Sequence, residues 1–258
     1  VTTNVNPTPQ ASVATVADVG EFSLNLNEAD THLLLTDIHR AFNTRIDDVL
    51  LAALAISIFE WRGDSETLIE MEGHGRDELA DVNTQRTVGW FTNAYPKLLH
   101  YDSQHDLAIL LKETKESLRK IPNKGIGYGV LRYLGKHSEL AVTPEIGFNY
   151  LGQMNAEDKN ELFSIDWQGL GEAVSSQMPL AHELDILSLV DKRSLCIHIS
   201  YNQQRFSTDS IRQFGELYLQ NLSKLCAFCM AQNSSEITPS DLTYQEMSLD
   251  ELDSLFAE

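Results

Sequence analysis

Residues 72–77 read EGHGRD and residues 86–96 read RTVGWFTNAYP. Within six positions the first stretch places a carboxylate, a histidine, an arginine and a second carboxylate, with two glycines leaving the backbone approachable. Glu72 closes the run TLIEME, whose residue types read as a strand. A carboxylate at a strand end, between an apolar residue and a glycine, can lose hydration, and that raises its proton affinity towards that of a useful general base. The same position suits a structural ion pair with Arg76, since such pairs perturb carboxylates without any chemistry. His74 shares a face with Glu72 if the strand continues, as a supporting group or as an ordinary hydrogen-bonded histidine.

Other motifs carry less. CAFC at 226–229 has redox or zinc spacing, but it lies inside a helical pattern with no second ligand pair, which makes it a pair of core thiols. GIGYG at 125–129 lacks the remaining glycine of a dinucleotide loop and the lysine–hydroxyl pair of a phosphate loop. No G-x-S-x-G elbow is present. Lys112, Lys115, Arg119, Lys120, Lys124, Arg132 and Lys136 concentrate seven of the nineteen basic residues in one span. They read either as solvated helix faces or as a patch for a phosphorylated partner.

These groups need a scaffold, and 258 residues with 42 % hydrophobic composition can supply a sizeable core. The formal charge of −19 disfavours nucleic acid and anionic membrane surfaces as partners. No apolar run approaches a membrane span, no signal peptide is recognisable and there are three cysteines, so a cytoplasmic protein is expected. The chain starts at Val1, as expected of a segment of something longer. Residues 1–20 read as a lead-in or linker and 21–258 as the packed unit. FSLNLN alternates as a strand, and IDDVLLAALAISIFEW, with Thr44 as expected cap, is apolar on nearly every face and reads as a buried helix. GWFTNAYPKLLH reads as a strand region whose proline points to an edge or a bulge. DLAILLKETKESLRKI is helical, IGFNYLG is a short buried strand, and LDILSLV and SLCIHISYN pair as a hairpin. A long helix capped by Ser207 and a last acidic helix from about Ser248 complete the pattern. Alternating sheet and helix define an α/β (α+β layered) fold class.

Taken in order, DDVLLAAL (47–54), EGHGRD (72–77), RTVGWFTNAYP (86–96), IPNKGIGYG (121–129) and FNYLGQ (148–153) resemble the later motifs of the epimerization domains of nonribosomal peptide synthetases, members of the condensation-domain superfamily. TPSDLTYQEMSLDELDSL at 238–255 is similar to that family's closing segment. The resemblance implies two lobes of chloramphenicol acetyltransferase-like fold, each a mixed sheet flanked by helices, with the active site in a tunnel between them. The HHxxxDG motif of the first lobe is not found, because no two histidines are adjacent, so the chain resembles the C-terminal lobe alone.

The substrate implied is an aminoacyl or peptidyl thioester on the phosphopantetheine arm of a peptidyl carrier domain, inverted at Cα from L to D, with no metal and no directly bound cofactor. Glu72 matches the family's catalytic glutamate, opposite a histidine of the other lobe, and Tyr150 matches a functionally important tyrosine. By the same resemblance His74, Arg76, Asp77 and Asn149 are supporting or structural, although Asp77 stands where glutamate is commoner. Gly73, Trp90, Phe91, Thr92 and Tyr128 are expected along the substrate channel, and Lys112, Lys115, Arg119 and Lys124 at the carrier contact. Partners expected are the carrier domain and the N-terminal lobe of the same domain, with self-association of an isolated lobe through its uncovered face. Two other readings remain: a lobe of a peptide-bond-forming condensation domain, and a non-catalytic carrier-docking lobe.

Overall fold

The computed structural model describes residues 13–76, 83–154, 174–243 and 247–255. Among the described residues, six strands form one mixed sheet in the order β1-β6-β5-β4-β2-β3. They are β1 (Val19–Asn25), β2 (Glu66–Gly73), β3 (Asn93–His100), β4 (Ile146–Met154), β5 (Leu184–Asp191) and β6 (Ser194–Asn202). The helices are α1 (Glu28–Leu35), α2 (Ile46–Arg62), α3 (Leu107–Arg119), α4 (Ile126–Gly129), α5 (Thr208–Met230) and α6 (Leu249–Leu255). Strands β2, β4 and β5 run parallel, and β1, β3 and β6 join them in antiparallel pairs. This is the expected mixed sheet flanked by helices.

Alternation along the strands decides what each face carries. Ile69 and Met71 of β2, Ile146 and Phe148 of β4, Leu184 and Ile186 of β5, and Ile197 and Ile199 of β6 share one face and are buried. Against them lies α2, buried from Val49 to Ile58 as its all-round apolar sequence requires. Helix α5 packs beside α2 through a stripe of Ile211, Phe214, Tyr218, Leu222 and Leu225, and Trp61 lies between the rings of Phe206 and Phe214 at 5.6 and 4.9 Å. Cys226 and Cys229 belong to this buried stripe and are free thiols, as the sequence pattern suggested. The opposite face carries Glu21, Ser23, Glu72, Asp185 and His198, all exposed.

Several boundaries differ from the sequence reading. Packing begins before Glu21: Thr15 pairs with Pro179, the Leu180 N–H donates to Ala14, and β1 starts at Val19. Thr44 does not cap α2. Arg45 occupies that position, its N–H donating to Asp48 Oδ2 at 2.6 Å, while Thr44 Oγ1 bonds the His39 ring. Pro96 lies on β3, an edge strand, where a missing N–H costs nothing on the unpaired side. The β5–β6 turn is closed by Lys192 and Arg193, both at positive φ, as in a two-residue type I′ hairpin.

Candidate active site

The C-terminal ends of the parallel strands β2 and β4 meet the N-terminal end of α2 at a cleft of ≈ 710 Å³. Glu72, Gly73, His74, Thr92, Asn149 and Tyr150 line it, with Asp47 on the helix side. The parallel register pairs Met71 with Phe148, so the next residues, Glu72 and Asn149, project together on the outer face. Asn149 Nδ2 donates to Glu72 Oε2 at 2.6 Å. The asparagine expected as a supporting group is therefore the direct partner of the carboxylate. Glu72 is itself exposed at the rim: Met71 points into the core and leaves the neighbouring position facing outwards, so enclosure is not achieved by these residues alone. Crowding at the rim, reinforced by the Asp185 and Glu70 carboxylates and opposed by His182, raises the Glu72 carboxyl above the ordinary range.

Tyr150 lies on the other side of β4, sharing the core-facing parity of Phe148. Burial, with the Asp47 carboxylate adding to it, pushes its phenol up to about 12, so it is a neutral hydrogen-bond donor at physiological pH. Immediately after it the β4–β5 register shifts between Tyr150 and Gln153, with Gly152 at φ +82°, a bulge that turns the strand end. The glycine of FNYLG is thus required by backbone geometry. At Gly73 a Cβ would sit 2.8 Å from Asn93 Oδ1, so a side chain there would displace the Asn93 amide.

Arg76 does not pair with Glu72. Its guanidinium donates to the carbonyls of Thr84, Thr87 and Gly89 and lies 4.3 Å from the Phe91 ring centroid, so it organises the loop that follows β2. His74 Nδ1 accepts the Arg76 backbone N–H at 3.0 Å. Asp77 lies outside the described residues. Of the expected channel residues, Gly73 and Thr92 line the cleft, whereas Trp90 projects into solvent and Phe91 is engaged with Arg76. Tyr128 does not line the cleft either: its hydroxyl donates to the Leu140 carbonyl at 2.6 Å.

The basic stretch is corrected more sharply. Lys115 is 1 % exposed and donates to Asp241 and to the Phe42 carbonyl. Lys112 is buried with Nζ 3.2 Å from Glu236, and Arg119 makes a two-pronged contact to the fully buried Asp48. These three cannot present a docking patch, because α3 turns them inwards to brace α2 and the C-terminal segment. Lys124 is exposed and lines the cleft.

Glu70, His182 and Asp185 were not singled out from the sequence. His182 Nε2 lies 3.2 Å from Glu70 Oε1 and its Nδ1 2.8 Å from Asp185 Oδ1, next to Glu72. The i, i+2 parity of Glu70 and Glu72 was a usable signal. The parallel alignment of β2, β4 and β5 that brings His182 and Asp185 beside them was not. A Cβ at Gly147 would overlap Asp185 Oδ1 and come within 2.7 Å of His182 Nδ1. Gly147→Ala is expected to lower stability by about 1–3 kcal/mol, measured as a shift in urea midpoint, because backbone and ring must move apart.

A mixed-sheet lobe with an acid at the C-terminal end of a parallel strand, facing a cleft, defines the class, and the sequence places the chain within it. The condensation-domain family profile matches residues 5–248, and the chain belongs to that family. It is 38 % identical over 238 residues to bacitracin synthase 2 of Bacillus licheniformis, covering 91 % of this chain and 9 % of that protein. Gramicidin S synthase 1 of Brevibacillus brevis is 36 % identical over 247 residues, covering 90 % of this chain and 22 % of that protein. The epimerization domain from the third module of tyrocidine synthetase B superposes with a TM-score of 0.79 at 33 % identity, over 90 % of this chain and 53 % of that one. The condensation domain of a monacolin K polyketide synthase matches at a TM-score of 0.63 and 18 % identity, a likeness of fold alone. The chain thus spans a small part of the synthetases it resembles and about half of the epimerization domain. Among the described residues, no helix is long and apolar enough to cross a membrane.

Proposed function

We propose that this chain is the C-terminal half of an epimerization domain of a nonribosomal peptide synthetase and that Glu72 is one of its two proton-transfer groups. The observation that carries this reading is the Glu72–Asn149 pair at the mouth of the cleft, with Tyr150 lining the same cleft as a neutral donor. The substrate is an aminoacyl or peptidyl thioester, delivered on the phosphopantetheine arm of a carrier domain that docks against this domain. A thioester carbonyl acidifies the adjacent Cα–H. When Glu72 takes that proton, the C–H bond breaks, an O–H bond forms on the carboxylate, and the electron pair moves onto the carbonyl oxygen as an enolate. A proton returned from the opposite face, by a group on the N-terminal lobe, inverts the centre. Two opposed groups are needed, which is why this half alone is expected to catalyse no inversion.

The Asn149 amide restrains the Glu72 carboxylate in one orientation, which favours transfer from a fixed substrate position. The raised proton affinity of Glu72 brings it nearer to matching a carbon acid at neutral pH. Tyr150 fits donation to the developing enolate oxygen or positioning of the thioester. Support for the choice of epimerization within the family comes from the identity and superposition with the tyrocidine epimerization domain.

The deciding experiment loads the carrier of the complete synthetase with an L-aminoacyl group in deuterated water. The expected result is deuterium at Cα together with D-product from one loaded carrier. Amide formation between two loaded carriers without Cα exchange would assign the chain to condensation instead, and carrier binding with neither reaction would make it a docking lobe. In the same assay Tyr150→Phe is expected to slow exchange by about 10- to 100-fold through loss of one oxyanion-directed donor, leaving the acid limb of the pH profile in place.

A further inference from the structure

The outer face of the sheet holds a second group of ionisable residues beside Glu72. Glu70 and Glu72 project from the same face of β2, and Asp185 stands on β5 across Gly147 of β4. His182 lies among them with only 12 % of its side chain exposed, Nε2 on Glu70 and Nδ1 on Asp185. All four line one small hollow of ≈ 130 Å³, and His182 is the only basic side chain lining it among the described residues. The bare backbone of Gly147 leaves the room that lets the ring reach both carboxylates over β4.

We propose that His182 is a positioning residue for Glu72: held as an imidazolium between Glu70 and Asp185, it offsets the two negative charges flanking Glu72 and keeps that carboxylate ionised and ready to accept a proton. The role rests on Glu72 acting as the base of the proposed reaction. Three carboxylates on β2 and on β5, one strand apart, repel one another, and repulsion favours protonation of the one that lacks a cationic partner. Glu72 is that group: Glu70 and Asp185 each contact His182, whereas Glu72 bonds the neutral Asn149 amide. An imidazolium between the other two offsets part of the repulsion without touching Glu72, whose own bond goes to Asn149. The hydrogen bond to Asp185, against opposing burial and with the charges of Asp185 and Glu70 adding, holds the His182 ring above its ordinary pKa. Acting on Glu72, Asp185 and Glu70 favour the proton and His182 opposes it.

Other titratable or charged groups line the cleft beside Glu72. Arg45 and Asp47 come from the start of α2, Arg119 from the end of α3 and Lys124 from the loop before α4, with His74 following β2 and the neutral Tyr150 on β4. Arg119 is committed to Asp48. On the outer face beyond Asp185, His198 of β6 bonds Ser23 of β1.

The test titrates the Glu72 side-chain carboxyl by carbon NMR in the ¹³C-glutamate-labelled chain, the resonance being assigned by its loss in Glu72→Gln. His182→Gln is expected to move the Glu72 titration to higher pH, Glu70→Gln to lower pH, and the double variant His182→Gln/Glu70→Gln back towards wild type. A ring that only braces the hollow would leave the titration in place in His182→Gln, whereas Glu70→Gln lowers it in either case by removing a neighbouring charge. An unchanged midpoint in His182→Gln overturns the proposal, and if that variant fails to fold, an unchanged midpoint between Glu70→Gln and the double variant overturns it equally. In the complete synthetase, the acid limb of Cα exchange should follow the same order, with His182→Gln losing rate on the acid side and recovering as pH rises. Absence of exchange in the wild-type synthetase would refute the reaction assigned to Glu72, whereas the carboxyl titration would still decide the coupling to His182.

Discussion

Glu72→Gln in the complete synthetase is expected to reduce Cα exchange of the carrier-bound aminoacyl group by about 10³-fold or more, with no change in thermal midpoint. The amide has the shape of the carboxylate and can still bond Asn149 after a flip of its end, so the β2–β4 contact survives. What it loses is the ability to take a proton. Because Glu72 does not pair with Arg76, whose guanidinium is bound to three loop carbonyls, the substitution strands no cation in the structure. Loss of activity with retained stability would therefore report on proton transfer. Exchange at wild-type rates would remove Glu72 from the reaction, and a fall in melting temperature parallel to the activity would make it structural.

Lys115→Met is expected to lower unfolding free energy by about 3–5 kcal/mol, the usual cost of removing one partner from a buried ion pair. The lysine is buried, its Nζ donating to Asp241 Oδ2 at 2.6 Å and to the Phe42 carbonyl at 2.9 Å. Methionine fills similar space, so the cost is electrostatic: Asp241 keeps the Thr238 N–H and hydroxyl and the Asn43 amide as donors, but no cation. The double variant Lys115→Met/Asp241→Asn should regain much of the loss in urea unfolding, and a single-variant loss below about 1 kcal/mol would sink the assignment. The pH dependence has a defined sign. Burial raises the Asp241 carboxyl, but the bonds from Lys115, Thr238 and Asn43 outweigh it and hold the group below its ordinary 3.8. A lowered folded pKa contributes stability that is present above the ordinary value and lost as pH falls through the lower, folded one. Removing Lys115 raises that folded value, so acid unfolding should begin at higher pH.

Much of the scaffold was legible because its signals are local. The all-apolar run of α2, the Ser207 cap of α5, the alternation of β4 and the hairpin of β5 and β6 are each written within a few residues. The cap of α2 was misplaced by one residue because the Asp48 carboxylate takes the Arg45 N–H, while the Thr44 hydroxyl is engaged with the His39 ring. Lys112, Lys115 and Arg119 were misread for a different reason, whereas Lys120, Lys124 and Lys136 are exposed. A lysine on a helix looks the same in sequence whether it faces water or Asp241, and its partner is supplied by a segment far along the chain.

Within the candidate site the division is the same. The sequence by itself determined the family, through its ordered motifs, and the strand that carries Glu72 near its end, since residue types along one strand decide it; the bulge after Tyr150 came from the structure. Only the tertiary structure decided that Asn149 touches Glu72, that Arg76 serves the loop, and that His182 lies between Glu70 and Asp185. Alternation assigns a side chain to one of two faces, but which residues meet there depends on the register between β2, β4 and β5. That register is set by how the whole apolar face packs on α2 and α5, a sum over many distant contacts that no short stretch of sequence contains.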